Sequence, residues 1–267
     1  MEKEQELYNA DGLRLAYGRF ENPNSSSRNL HHHKVSCEVL CIHQCKGVFH
    51  IEGSPYPVKP GDMVIIQPGE AHYMEVDPST PYDRTVIRFD AALFDSMDRD
   101  RQLLRPFFQR QIGKRNLYRS GKNSSMDWSK SIQQMLASPS RQNILFRLLD
   151  ILEQLGRQFD QPYWESQQDP LEYRIMQYIK ENLQENLSTQ ALCDRFYISR
   201  SQLHQRISNA TGMSVGKYIA ARRMMTAQQL IQRGGKPTEI YTLCGFRDYS
   251  TFYRAYIKYY GHSPNKK

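Results

Sequence analysis

The spacing of apolar residues changes once along this chain, and that change constrains what each part can fold into. Before about residue 90 the period is two. Val35, Cys37, Val39 and Cys41 alternate with Ser36, Glu38, Leu40 and Ile42, an extended run with apolar character on both faces. Gly47 interrupts it and Val48-Phe49-His50-Ile51 resumes it. Glu52-Gly53-Ser54-Pro55 and Pro60-Gly61-Asp62 read as turns. Met63-Val64-Ile65-Ile66 is a strand closed by Pro68-Gly69-Glu70, and Thr85-Val86-Ile87-Arg88-Phe89 is another. Short strands at this spacing, with no long helix between them, predict an antiparallel sandwich or barrel over residues 13–89.

After Asp90 the period becomes three and four. Residues 93–108 and 128–136 read as helical. The clearest stripe is Ile144, Leu148, Ile151, Leu152, Leu155 and Phe159, with Arg147, Asp150, Glu153 and Arg157 elsewhere on the helix. It fits either a helix packed on its own sheet or the seam of a homodimer. Residues 161–169, rich in Gln with proline nearby, form the expected linker. Beyond Pro170 the helices are short. Ser188, Ser199 and Asp248 are candidate N-caps, and Gly212, Gly234-Gly235, Gly245 and Gly261 are stops.

Charge follows the same division. The formal net charge is +8, yet residues 1–168 hold 21 basic and 21 acidic side chains while residues 169–267 hold 15 and 7. A neutral body with a basic C-terminal part implies a polyanionic partner for that part. Five cysteines in a chain of this length do not read as a disulfide framework. Met1 is followed by Glu2-Lys3-Glu4-Gln5-Glu6, neither basic nor apolar, and no run is long and apolar enough to span a bilayer. A cytoplasmic protein with no membrane partner is expected.

The basic part repeats one grammar: helix, break, helix, a longer connecting helix, then helix, break, helix. Two helix-turn-helix units have this form, here over about 189–208 and 237–259. Opposite the apolar Leu203 and Ile207, the first unit shows Ser201, Gln202, Gln205 and, at its flank, Arg206. Opposite Phe252 and Tyr256, the second shows Ser250, Arg254 and Lys258, with Tyr249 and Tyr253 beside them. Such donors and acceptors suit base edges and phosphates of double-stranded DNA. Arg and Gln on a helix are usually just solvated; two such faces in a basic segment are what point to DNA. Two recognition helices on a common strut could enter successive major grooves, about 34 Å apart.

Gly212-Met213-Ser214-Val215, Tyr218-Ile219 and Arg222-Arg223-Met224 resemble the middle of the AraC/XylS-type DNA-binding domain. Ile240, Cys244-Gly245-Phe246, Tyr249-Ser250-Thr251-Phe252, Arg254, Tyr256, Lys258 and Tyr260-Gly261-His262-Ser263-Pro264 resemble its second half. The resemblance covers 170–264 densely. It implies two helix-turn-helix subdomains bridged by one helix, and a regulator, usually an activator, that recruits RNA polymerase. Carried over, the groove positions are Arg200, Ser201, Gln202, Gln205 and Arg206, then Arg247, Tyr249, Ser250, Tyr253 and Arg254. Two features depart from the pattern: Ile257 replaces a polar residue, and Asn265-Lys266-Lys267 replaces the usual aromatic-Arg close.

His31-His32-His33, Glu38 and Gly47, with Pro60-Gly61-Asp62 and Pro68-Gly69-Glu70-Ala71-His72, resemble the AraC-type sensor module, which implies a cupin-like barrel, a small effector such as a sugar inside it, and helices that dimerise. The tentative effector-binding residues are His33, Glu38, His50, His72 and Tyr73. On one continuous strand, the five-residue separation of His33 and Glu38 would place them on opposite faces. His31, His33, His43, His50 and His72 with Cys37, Cys41 and Cys45 offer metal donors, but the histidine–carboxylate motif is incomplete. The outer cysteines would lie roughly 26 Å apart on a strand. Histidines that are structural, solvated or lining an effector pocket, and cysteines packed as apolar groups, are therefore expected, with no metal and no cofactor.

The combined expectation is a two-domain α+β protein. Residues 1–160 form an antiparallel cupin-like β-barrel with trailing helices for effector sensing and homodimerisation. Residues 170–267 form an all-α domain with two helix-turn-helix units. The expected function is a non-enzymatic, sequence-specific transcriptional regulator responding to a small polar effector. A ligand-independent DNA-binding protein and a metal-dependent cupin enzyme fused to a DNA-binding domain are the alternatives.

Overall fold

Side chains alternate across strand β3 (Ser36–Gln44) and enter two different cores: Cys37, Val39 and Cys41 one of them, Leu40 and Ile42 the other. The computed structural model describes residues 4–21, 23, 30–98, 100, 102–119, 127–161, 169–232 and 234–265. It divides into two units, Met1–Gln168 and Asp169–Lys267. The linker expected over 161–169 lies almost wholly outside the described residues.

In the first unit, β3 sits inside a six-stranded antiparallel sheet. Its order is β1 (Glu4–Ala10), β2 (Leu13–Phe20), β8 (Tyr82–Asp90), β3, β6 (Met63–Ile66), β9 (Leu117–Tyr118). A smaller sheet has the order β5 (Ser54–Val58), β4 (Gly47–Ile51), β7 (His72–Val76). Asp11-Gly12 and Glu52-Gly53 make the two tightest hairpins, with φ of 50° and 73°, and of 50° and 78°. Two successive left-handed residues match the twist of the flanking strands, which is why each turn ends on glycine. Pro55 and Pro57 fall on the edge strand β5, where a missing N–H breaks no ladder.

This architecture corrects the expected barrel. Strands change sheet at corners, β3 to β4 through Cys45-Lys46 and β6 to β7 through residues 67–71, instead of continuing one hydrogen-bond ladder. Among the described residues the two sheets remain separate, stacked face to face as an open sandwich. Leu40, Ile42, Val64, Ile66 and Val86 of the large sheet pack against Phe49, Ile51, Tyr56 and Val58 of the small one.

The other face of the large sheet is covered by helices. α1 (Arg105–Phe108), α2 (Ser129–Ala137) and α3 (Arg141–Phe159) bury Phe107, Trp128, Ile132 and Met135 on Leu15, Val39, Ile65 and Phe89. The expected helix over 93–108 is only a 3-10 turn, Ala91–Phe94, and the four-residue α1; the Asp98 carboxylate takes the backbone N–H groups of Gln102 and Leu103 in the segment between. The apolar stripe of α3 packs on its own sheet. Ile144, Leu148, Ile151, Leu152 and Leu155 are fully buried in their own chain, and Phe159 lies half-buried under the Arg115 guanidinium.

A buried ion pair ties the segment after α1 to the sandwich. Arg110 and Glu70, both inaccessible, meet at 2.6 Å, and the Glu70 carboxylate also accepts from the Asn116 amide and from the N–H groups of Gln67 and Gly113. Burial pushes the Glu70 carboxyl up, but Arg110 and these donors outweigh it and hold it below the usual range.

The second unit is all helix: α4 (Leu171–Glu181), α5 (Thr189–Phe196), α6 (Arg200–Thr211), α7 (Val215–Gln232), α8 (Pro237–Ile240) and α9 (Tyr249–Tyr260). It contains two small cores threaded by one helix. Val215, Tyr218 and Ile219 of α7 join Ile175, Leu192, Leu203 and Ile207; Met224 and Ala227 of the same helix join Ile240, Cys244, Phe252 and Tyr256. The Leu183 carbonyl accepts from Arg223 at 3.0 Å, and a Cβ on Gly245 (φ 78°) would lie 1.9 Å from that oxygen. Only glycine fits there.

Candidate effector cavity and nucleic-acid interface

Between the two sheets lies a cavity of about 460 Å³, lined on its polar side by Glu4, His31, Glu38, His72, Arg84 and Arg88 and on its apolar side by Phe20, Leu40, Phe49, Tyr73, Tyr82 and Val86. His31, Glu38 and His72 of this lining cluster with His33, which is not part of it. His31, His33, Glu38 and His72 each bring one ligating atom within 4.8 Å of the others. His31 and His72 form an isolated antiparallel bridge, each N–H bonding the other's carbonyl at 3.1 and 2.9 Å. Their rings are 4.3 Å apart. His33 Nε2 is 2.8 Å from Glu38 Oε2.

The opposite-face expectation for His33 and Glu38 fails because β3 begins only at Ser36; His33 lies before the strand, so two-residue alternation does not apply across the pair. Of the expected effector residues, His33, Glu38 and His72 therefore converge, with His31 beside them. Tyr73 lines the cavity. His50 is not in its lining; it stacks on Tyr73 at 4.5 Å and lies 3.3 Å from Glu75.

Glu38 and His72 are almost wholly buried. Burial pushes the Glu38 carboxyl up, but the His33 hydrogen bond, the neighbouring His72 ring and the Arg88 guanidinium outweigh it and hold the group well below the usual carboxylate range. Arg88 Nε lies 3.1 Å from Glu38 Oε2, at ion-pair distance though off the hydrogen-bond line. For His72 burial is the largest cause and lowers the imidazole to about 4, against the pull of Glu38. Its Nδ1 donates to the Glu70 carbonyl at 2.8 Å.

The cysteines pack as apolar groups but do not all face one way. Cys37 and Cys41 enter the helix-side core and Cys45 the inter-sheet core, because a register shift between Ile42 and Gln44 changes the facing. Burial raises all three thiols, Cys41 and Cys45 to about 12.

In the second unit both helix-turn-helix units present polar faces. Tyr197 ends α5 in the left-handed region, φ 54°, and Ser199 caps α6 with Gln202 completing a capping box. Arg200, Ser201, Gln202, Gln205 and Arg206 are all exposed above buried Leu203 and Ile207. Their situations differ. Gln202 accepts the Ser199 N–H, Arg200 bonds Gln190 at 2.9 Å and Arg206 pairs with Glu172 at 3.0 Å. Asp248 caps α9, where Ser250 and Arg254 are exposed, as is Arg247 before it. Tyr249 and Tyr253 are half-buried, Tyr249 ringed by Tyr241, Phe252 and Tyr253 at about 6 Å. The exposed His204, Lys258 and Tyr197 join these faces; His204 and Tyr197 were not read from the sequence.

Residues 15–161 match the family model described as AraC-like ligand binding domain, and residues 192–266 match that described as helix-turn-helix domain. The chain belongs to the AraC family of transcriptional regulators. As a family member it is similar to the HTH-type transcriptional activator RhaS of Yersinia pseudotuberculosis serotype I (strain IP32953), 24% identical over 245 residues, covering 87% of this chain and 86% of that protein. It is also similar to the probable transcriptional regulator LumQ of Photobacterium leiognathi, 31% identical over 93 residues. That match covers 34% of this AraC-family chain and spans 38% of the length of LumQ. Among solved structures, ToxT from Vibrio cholerae is 11% identical over 95% of this chain and 97% of that one, at a TM-score of 0.39. Among the described residues, no helix is long and apolar enough to cross a membrane.

Proposed function

We propose that this AraC-family chain is a sequence-specific DNA-binding regulator whose N-terminal cavity senses a small polar molecule and whose helices α6 and α9 read successive major grooves. The observation that carries the reading is the shared strut: two exposed polar helix faces, each on its own apolar core, are joined by α7, which belongs to both cores. Gln205 and Arg254 are the leading base-edge readers, while Arg200, Arg206 and Arg247 suit phosphates. The intramolecular pairs of Arg200 and Arg206 are exposed, so exchanging them for phosphate costs little.

The cavity suits a sugar-like effector. Glu38, Arg84 and Arg88 offer hydrogen bonds to hydroxyls, while Phe20, Phe49 and Tyr82 offer flat apolar faces to C–H groups. A homodimer that activates by recruiting RNA polymerase belongs to the same proposal, with a contact surface other than the buried stripe of α3. Effector binding acts by favouring one of two states of different DNA affinity. Genome-wide footprinting with and without candidate carbon sources tests this. Discrete protected promoters whose occupancy changes with one source support it; protection that never exceeds background overturns it.

A further inference from the structure

We propose that Tyr197 contacts DNA through its phenol, which donates a hydrogen bond to a backbone phosphate at the rim of the major groove that α6 enters. The residue is held at φ 54° and ψ 46°, the left-handed region, where its Cβ crowds the chain and glycine would sit without strain. Nothing within the fold offsets that strain. Tyr197 is 94% exposed, the most of any exposed large hydrophobic side chain among the described residues. Its hydroxyl has no hydrogen-bond partner there, and its ring has no aromatic or cationic neighbour. A side chain that strains the backbone and buries nothing stabilises neither α5 nor the core. Local strain of this kind persists where it serves binding.

Place and chemistry select the partner. Ser199, two residues later, caps α6, so the turn that carries Tyr197 leads directly into the first reading helix. Ser201, Gln202 and Gln205 lie within that helix and face base edges, whereas Tyr197 precedes it and meets the flanking backbone. Arg195 and Arg200, both exposed, flank it in sequence, and this unit holds the chain's whole basic excess. A phenol in such surroundings is a donor to a phosphate oxygen. Being neutral, it displaces no counterion, so it adds affinity without adding salt dependence; an arginine contact adds both. This inference rests on reading α6 as a groove helix and adds a contact that lies off its reading face.

The test uses the full-length chain on a duplex selected from a random library and on a scrambled duplex of equal length, across a series of salt concentrations. Tyr197→Phe, which removes only the hydroxyl, is expected to weaken both complexes about threefold to tenfold, with the slope of log affinity against log salt unchanged. Methylphosphonate placed at single positions of the selected duplex is expected to reveal one phosphate whose replacement weakens the parent more than it weakens Tyr197→Phe. Tyr197→Gly, which also relieves the backbone, is expected to weaken binding at least as much while leaving the urea midpoint no lower. Unchanged affinity in Tyr197→Phe, a loss confined to the selected duplex, a shallower salt slope, or a lower urea midpoint in Tyr197→Gly would each overturn the proposal. A parent chain that prefers the selected duplex, with Tyr197→Phe binding as tightly, removes this inference alone. A parent chain with no preference between the duplexes removes the regulator reading itself.

Discussion

The two units place their polar chemistry on opposite sides of their apolar cores. In the N-terminal unit it is inside: Glu70 and Arg110 are fully buried, and Glu38 and His72 almost so. In the C-terminal unit it is outside, where Gln205, Arg206, Ser250 and Arg254 stand exposed over Leu203, Ile207, Phe252 and Tyr256. A buried polar group holds its geometry only through its partners, so binding and stability are coupled in the first unit. An exposed reading face contributes little to folding, so the second unit can change what it binds at small cost in stability.

The largest expected effect lies in the buried network. Arg110→Ala leaves the Glu70 carboxylate uncompensated and is expected to destabilise the N-terminal unit by about 3 to 5 kcal/mol, read as a lower urea midpoint. An unchanged midpoint would break the contrast between the units. Next comes pH. In the folded chain His72 titrates near 4, below its unfolded value of 6.5. Between those values the unfolded chain binds the extra proton, so stability is full above about 6.5 and falls as pH drops towards 4. That contribution is about 3 kcal/mol. Unfolding curves across this window check it, and His72→Gln is expected to flatten the slope.

Smaller effects are expected on the outside. Arg254→Ala is expected to weaken specific DNA binding by about 1 to 3 kcal/mol and relax the preference at one base pair, without moving the melting temperature. Gel-shift affinities that fell equally on a selected site and on random duplex would make Arg254 a phosphate contact instead. Ser199→Ala removes the cap of α6 and is expected to cost about 1 kcal/mol of stability. Gln202→Ala breaks the other half of that box, so a loss of stability larger than its loss of specificity would assign Gln202 to the cap.

The same contrast explains what could be read from the sequence. In the C-terminal unit the signals are local: Ser199, Gly212, Asp248 and Gly261 cap or end their helices as their types demand, and apolar residues at three and four spacing mark the buried side. In the N-terminal unit the individual strands are legible from alternation, but which strand pairs with which depends on distant contacts. That is why an open sandwich was not separable from a barrel. β1 escaped because Glu4 and Glu6 look like solvent-facing charge; they pair with Arg14 and Arg84 along an edge. Arg110 and Asn116 carry no local pattern, since their roles are set by Glu70, forty and forty-six residues earlier. His31 and His33 were visible as residues, but their meeting with Glu38 required knowing where β3 begins.

The central claim is that α6 and α9 read duplex sequence together, and binding isotherms test it most directly. A duplex selected from a random library by the purified full-length chain is compared with a scrambled duplex of equal length, at two salt concentrations, for the parent chain and the Gln205→Ala/Arg254→Ala variant. The parent is expected to prefer the selected duplex at both salts, and the variant to keep salt-sensitive binding while losing most of that preference. A preference of unchanged size in the variant would contradict the account.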